Sequence, residues 1–174
     1  MQVINYQMKP QDIVILLKII ATGNDNWQQL PLADNLRMSQ SEVSQAIARM
    51  RYAGLMQENG KQVMRLALME FLQHGIVYVF PQRPGAVVRG VPTAHSAFPL
   101  NQKITSDEVY VWPSAKGNMR GQAITPLYHT VPHAIEIDEK FYALIALVDA
   151  LRVGQKREKE LALAELKKRI LHGE

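Results

Sequence analysis

The chain has no cysteine, which excludes disulfides, thiolate metal sites and thiol nucleophiles. Aromatic residues are scarce, at 7% of 174 residues. No uninterrupted apolar run approaches the roughly 18 residues expected of a membrane span. The opening MQVINYQMKPQD lacks the basic-then-apolar layout of a secretory leader, so a cytoplasmic protein without membrane attachment is expected. Acidic residues are missing from one stretch in particular. Residues 75–135 carry five cations (Arg83, Arg89, Lys103, Lys116, Arg120) against only Asp107 and Glu108. The flanking stretches balance at seven against six and eight against eight. An excess of cations confined to the middle suits an anionic partner, although the same cations also fit an ordinary solvated surface.

Signatures of catalysis are also missing. There is no Gly-x-Ser-x-Gly elbow, and Asp107 with Glu108 is the only carboxylate pair in the middle segment, so no catalytic residue is nominated and a non-enzyme is expected. GAVVRGVP has glycines near phosphate-loop spacing but lacks the Lys-Ser/Thr that follows them in such loops, so no cofactor is implied. His129 and His133 are four apart, but Pro132 between them argues against the helix that would align both rings. With His95 distant in sequence, no metal site is nominated.

What is present includes a phrase written twice. VYVFPQRPGAVVRG at 77–90 and VYVWPSAKGNMRG at 109–121 share Val-Tyr-Val-aromatic-Pro, a glycine, then Arg-Gly. Each copy reads as a β-rich run stopped by Pro81 or Pro113, a turn at Gly85 or Gly117, and an Arg-Gly pair. The duplication implies a pseudo-symmetric platform with Arg89 and Arg120 in related places. Beside the permissive backbone of Gly90 and Gly121 these arginines suit a small anionic ligand. Equally, they suit a structural role, buttressing the loops by bonding carbonyls.

The N-terminal third reads as helices. Pro10 and Asp12 open one and Gly23 closes it, with Ile13, Leu16, Leu17 and Ile20 as its buried stripe. LPLADNLRM gives a short second helix. In MSQSEVSQAIARMRYAGLM, Ser39 and Glu42 have capping-box spacing, and Val43, Ile47 and Met50 face inward beside Ala46. That leaves Gln40, Ser41, Ser44, Gln45 and Ala48 outside, with Arg49 near the edge. Amide and hydroxyl side chains on such a face can hydrogen-bond base edges in a major groove, and their small neighbours allow close approach.

The remaining segments complete the pattern. LMQENGKQV offers two very short strands around an Asn59-Gly60 turn of type I′, and MRLALMEFLQHG a helix with Leu66, Met69 and Leu72 inward. DEKFYALIALVDALRV starts at a capping Asp138 and is apolar nearly all round. QKREKELALAELKKRILHGE carries a narrow Leu161, Leu166, Ile170 seam, which suits docking on its own domain or dimerisation.

LADNLRMSQSEVSQAIARMRYAGLM resembles the recognition unit of winged helix-turn-helix regulators of the MarR type, carried by Ser39, Ser41, Val43, Ser44, Arg49, Ala53, Gly54 and Leu55. EFLQHGIVYVFP, RGVPTAHSAFPL and LVDALRVGQKREKELA extend a whole-chain resemblance to a poorly characterised bacterial helix-turn-helix family. The resemblance implies an α+β protein in two parts. Residues 1–75 would form a winged helix-turn-helix DNA-binding domain. Residues 76–174 would form a small α+β effector or dimerisation domain, with a duplicated strand–turn–Arg-Gly unit and C-terminal helices.

The implied function is that of a transcriptional regulator, a homodimer on double-stranded DNA, whose second domain senses a ligand or partner. Gln40, Ser41, Ser44, Gln45 and Arg49 are the expected groove contacts, and Arg37, Arg51, Lys61 and Arg65 the expected phosphate contacts. Arg89, Gly90, Arg120 and Gly121 are the expected ligand site. The alternatives are an antitoxin or adaptor acting through a protein partner, and a small-anion sensor with an auxiliary head.

Overall fold

The structure, a computed structural model, describes residues 5–174. Residues 1–4, part of the opening on which the leader reading rests, lie outside the described residues. The fold mixes helix with one small sheet. Its helices are α1 (Pro10–Thr22), α2 (Gln29–Leu36), α3 (Gln40–Tyr52), α4 (Arg65–His74), α5 (Ile76–Val79), α6 (Val131–Ala134), α7 (Glu139–Val153) and α8 (Lys156–Leu171). The strands are β1 (Val87–Pro92), β2 (Tyr110–Pro113) and β3 (Met119–Ala123). No described helix is long and apolar enough to cross a membrane.

Helix α1 is central. Every residue from Asp12 to Ile20 is buried, more than the single stripe that its sequence suggests. One face meets α2 and α3, and another meets α7. Gly23 ends the helix in the left-handed region (φ 80°), where a side chain is disfavoured. Asp138 caps α7 by accepting from the Phe141 N–H, and it also binds Lys18 of α1 at 2.6 Å. A single apolar core runs through Leu16, Leu72, Trp112, Leu147 and Leu166.

Several local expectations are corrected. The two short strands around Asn59-Gly60 reduce to a single bridge, Met56 to Val63. Only Gly60 there has positive φ, so the turn is not type I′, which needs two such residues. Leu66 is 73% exposed, and Leu68 takes its place inward with Met69 and Leu72. Pro132 stands in the first turn of α6, where no N–H is needed, and the helix starts only at Val131, so it does not carry His129 and His133 together.

The largest correction concerns the repeat. Val77–Val79 of the first copy is helical, in α5, whereas the matching run of the second enters β2 at Tyr110. Ile76 is fully buried, and α5 packs on α7 directly after α4, so tertiary contact overrides the β preference of Val and Tyr. The second halves of the copies do correspond. Both Arg-Gly pairs lie in strands, and these pair antiparallel with Arg89 opposite Arg120. β1 also pairs antiparallel with β2, and β2 pairs parallel with β3, closing a minute three-stranded barrel.

Helix α8 lies along α7 and α4, burying Ala162, Glu165, Leu166 and Ile170. Leu166 and Ile170 of the expected seam are buried, whereas Leu161 is only half-buried and Ala162 lies inward beside it.

Candidate functional site

The capping box expected at the start of α3 is present. Ser39 Oγ accepts from the Glu42 N–H at 3.1 Å, and Glu42 Oε2 accepts from the Ser39 N–H at 2.7 Å. Val43, Ala46, Ile47 and Met50 are buried, which leaves Gln40, Ser41, Ser44, Gln45 and Ala48 exposed together. The Gln45 amide rests against Ser41 Oγ at 3.2 Å, one helical turn back. No carboxylate stands among these five outer residues.

Arg37, before α3, and Arg51, in its last turn, are both exposed. Arg37 occupies the left-handed region (φ 52°) in the tight turn between α2 and α3. Among the described residues Arg51 pairs only with the exposed Glu58, at 3.7 Å. At the far end of α3, Tyr52 is 72% exposed and stacks on Tyr6, with rings 4.0 Å apart.

Arg49 departs from expectation. It is 6% exposed and turned inward onto Asp12, with Nε to Oδ2 at 2.9 Å and Nη2 to Oδ1 at 2.7 Å. Asp12 is fully buried and also accepts the Lys9 N–H. Helical spacing puts Arg49 near the edge of the helix, but a guanidinium reaches far enough to meet a buried acid on the neighbouring helix. Its role here is to lock α3 onto α1.

Lys61 and Arg65 are also engaged within the fold. Lys61 Nζ donates to the Trp27 carbonyl at 3.0 Å and stands 4.6 Å from its ring centre, while Trp27 Nε1 donates back to the Lys61 carbonyl. Arg65 donates to the carbonyl of Ile170 at the end of α8, lining a cleft of about 350 Å³ with Lys140 and Arg169. Lys61 remains exposed near the Gly60 turn, whereas Arg65 is turned toward α8.

One contact joins this face to the rest of the chain. Tyr128, just before α6, donates its hydroxyl to Glu42 Oε1 at 3.0 Å, and Thr130 donates to the Leu36 carbonyl at 2.7 Å. The Ser39 N–H above all, with the Tyr128 hydroxyl, holds the Glu42 carboxyl below its ordinary range. Burial, then Glu42 itself, pushes the Tyr128 phenol up. Nothing in the sequence pairs residues 42 and 128, so this contact had no local signal.

Around the repeat, the arginines are presented rather than used. Arg89 and Arg120 are exposed, and neither side chain makes a hydrogen bond or ion pair among the described residues. The buttressing role belongs instead to a buried hub that the sequence reading missed. Asp149 of α7 accepts from Thr93 Oγ1 (2.8 Å), Trp112 Nε1 (2.7 Å) and Arg152 Nη1 (2.9 Å). Arg152 in turn donates to the carbonyls of Phe80 and Thr125. Burial pushes the Asp149 carboxyl up, against the pull of its three donors. The signal available was an Asp and an Arg one turn apart inside an otherwise apolar helix.

The histidines stay apart. His95 is buried with Nε2 on the Glu108 carbonyl, and His133 faces Glu136 at 3.9 Å. No group of three or more His, Asp or Glu side chains placed to hold a metal occurs among the described residues.

No family model, curated protein or solved structure matches the chain.

Proposed function

We propose that the chain is a DNA-binding transcriptional regulator of the winged helix-turn-helix, MarR-like kind. In this reading α2 and α3 form the helix-turn-helix, and residues 56–63 form a much shortened wing. The observation that carries it is the outer face of α3. Gln40, Ser41, Ser44 and Gln45 are exposed together without a carboxylate, between Arg37 and Arg51. Gln amides can bond adenine in a bidentate way, Ser can bond either purine or pyrimidine edges, and Ala48 can meet a thymine methyl. Arg37, Arg51 and Lys61 supply phosphate contacts that fix register. Arg49 positions the helix instead of touching DNA, and Arg65 belongs to the contact with α8.

Such a regulator acts in the cytoplasm as a homodimer, since two half-sites are generally read by two copies. The C-terminal part, tied to the capping box through Tyr128, then modulates the reading helix. The test is enrichment from a random duplex pool. The wild-type chain enriches a defined motif, and a Ser44→Ala/Gln45→Ala variant, folded to the same extent, loses it. Enrichment of the same motif by both would refute groove reading by α3.

A second reading, an antitoxin or adaptor acting through another protein, is favoured by one observation. Helix α5 leaves Tyr78 80% exposed and Val79 49% exposed. A chain that is monomeric by light scattering and enriches no duplex would favour it.

A further inference from the structure

The duplicated Arg-Gly pairs meet in the sheet, and their meeting has a chemical consequence. Arg89 and Arg120 are directly opposite in the antiparallel β1–β3 pairing, so both side chains leave the same face. Directly opposed Cβ atoms lie about 4.5–5.5 Å apart, and like charges there destabilise the pairing. Both arginines are exposed, and no carboxylate or carbonyl among the described residues takes up either guanidinium. The fold thus keeps a repulsive pair that it does not use.

The ribbon that carries them is held closely. Gly90 and Gly121, each following one arginine, are buried. A Cβ at Gly90 would run into the Trp112 carbonyl, and one at Gly121 into the Val109 carbonyl. Trp112 is itself anchored on Asp149. The sheet is therefore seated on a rigid hub, and its two guanidinia project from backbone that cannot readily shift. Lys116 is exposed in the turn that presses Gly117 onto Gly90. Asp107 and Glu108 line a shallow hollow of about 350 Å³ beside Arg120 without pairing to it.

We propose that Arg89 and Arg120 form a two-armed clamp for a phosphate group. Tetrahedral phosphate offers several acceptor oxygens and satisfies two guanidinia at once, converting their repulsion into a bridge. The phosphate comes from a nucleic-acid backbone or from a small phosphate compound. The first source rests on the DNA-binding reading above, and the second does not.

Two measurements on the full chain separate these sources, each comparing wild type with Arg89→Ala/Arg120→Ala. The first is binding to a scrambled duplex across a salt series. A backbone clamp on one phosphate makes the variant's log K against log salt slope shallower by about 0.9, the change expected for one neutralised phosphate. The second is thermal melting with and without pyrophosphate. A wild type that binds no duplex but is stabilised by pyrophosphate, with the response lost in the variant, supports the small-phosphate source while the DNA reading falls.

Equal salt slopes together with equal pyrophosphate responses overturn the clamp, as does a wild type that responds to neither probe. Without ligand the variant melts at or above the wild-type temperature, because a repulsion has been removed. A marked drop assigns the arginines a structural role and also overturns the proposal. Arg89→Lys/Arg120→Lys keeps the charge without the planar fork, and it retains most of the salt slope while losing much of the pyrophosphate response.

Discussion

Replacing Arg49 by Ala tests whether this residue is a fold element or a DNA contact. In the folded chain Asp12 is fully buried and Arg49 is 6% exposed, joined by two hydrogen bonds of 2.9 and 2.7 Å. Removing the guanidinium leaves the Asp12 carboxylate deep in the core with the Lys9 N–H as its one donor among the described residues. Breaking one side of a buried pair costs about 3–5 kcal/mol, a large part of a typical total of about 5–15 kcal/mol. At about 2–4 °C per kcal/mol for a chain of this size, the melting temperature falls by roughly 6–20 °C.

Asp12→Leu/Arg49→Leu removes both charges and fills the space with apolar atoms, so it costs far less than the two single changes added together. Urea unfolding of wild type, both single variants and the double variant gives the coupling directly. The reasoning is refuted if Arg49→Ala unfolds within about 1 kcal/mol of wild type while duplex binding disappears. Arg49 would then be a groove contact after all.

Other consequences follow from particular contacts. The hydrogen bonds that depress Glu42 stabilise the fold fully above its unfolded value of 4.5 and are lost as pH falls through the lower folded value. The stability gap between wild type and Glu42→Gln, roughly 0.5–1 kcal/mol for so solvated a group, is therefore flat at neutral pH and closes in acid. A gap that widens in acid contradicts this sign. Gly121→Ala drives a Cβ to 2.5 Å from the Val109 carbonyl. It costs about 1–3 kcal/mol by urea unfolding, and a neutral result would show that the small barrel is looser than its geometry. Arg37→Gly relieves a left-handed residue and leaves stability unchanged or raised by up to about 1 kcal/mol, while weakening duplex binding. A loss of stability would mean that the arginine supports the turn.

The helical third was legible because its signals are local. Ser39 and Glu42 announce the capping box, and the Val43, Ile47, Met50 spacing assigns the inner face, so the exposed quartet on α3 follows by exclusion. Pro10 and Gly23 bracket α1 in the same way. What failed depended on contacts across the chain. Val77–Val79 matches a strand residue by residue but sits helical against α7, because Ile76 finds its buried partners there. Arg49 was placed by angle around a helix, whereas its direction is set by an acid 37 positions away. The repeat is only partly matched in the fold. Its common part is the Arg-Gly strand and not the run before proline, and only the register of β1 on β3 reveals that the two arginines face each other.

The most direct test of the regulator reading is fluorescence anisotropy on the duplex upstream of the chain's own gene and on a scrambled duplex, at physiological salt. Ser44→Ala/Gln45→Ala runs alongside, since Arg49 variants would confound binding with folding. The account predicts tighter binding to the native duplex, lost in the variant while its melting temperature holds. Equal, steeply salt-dependent binding of both duplexes by both proteins would contradict it, leaving phosphate attraction without groove reading.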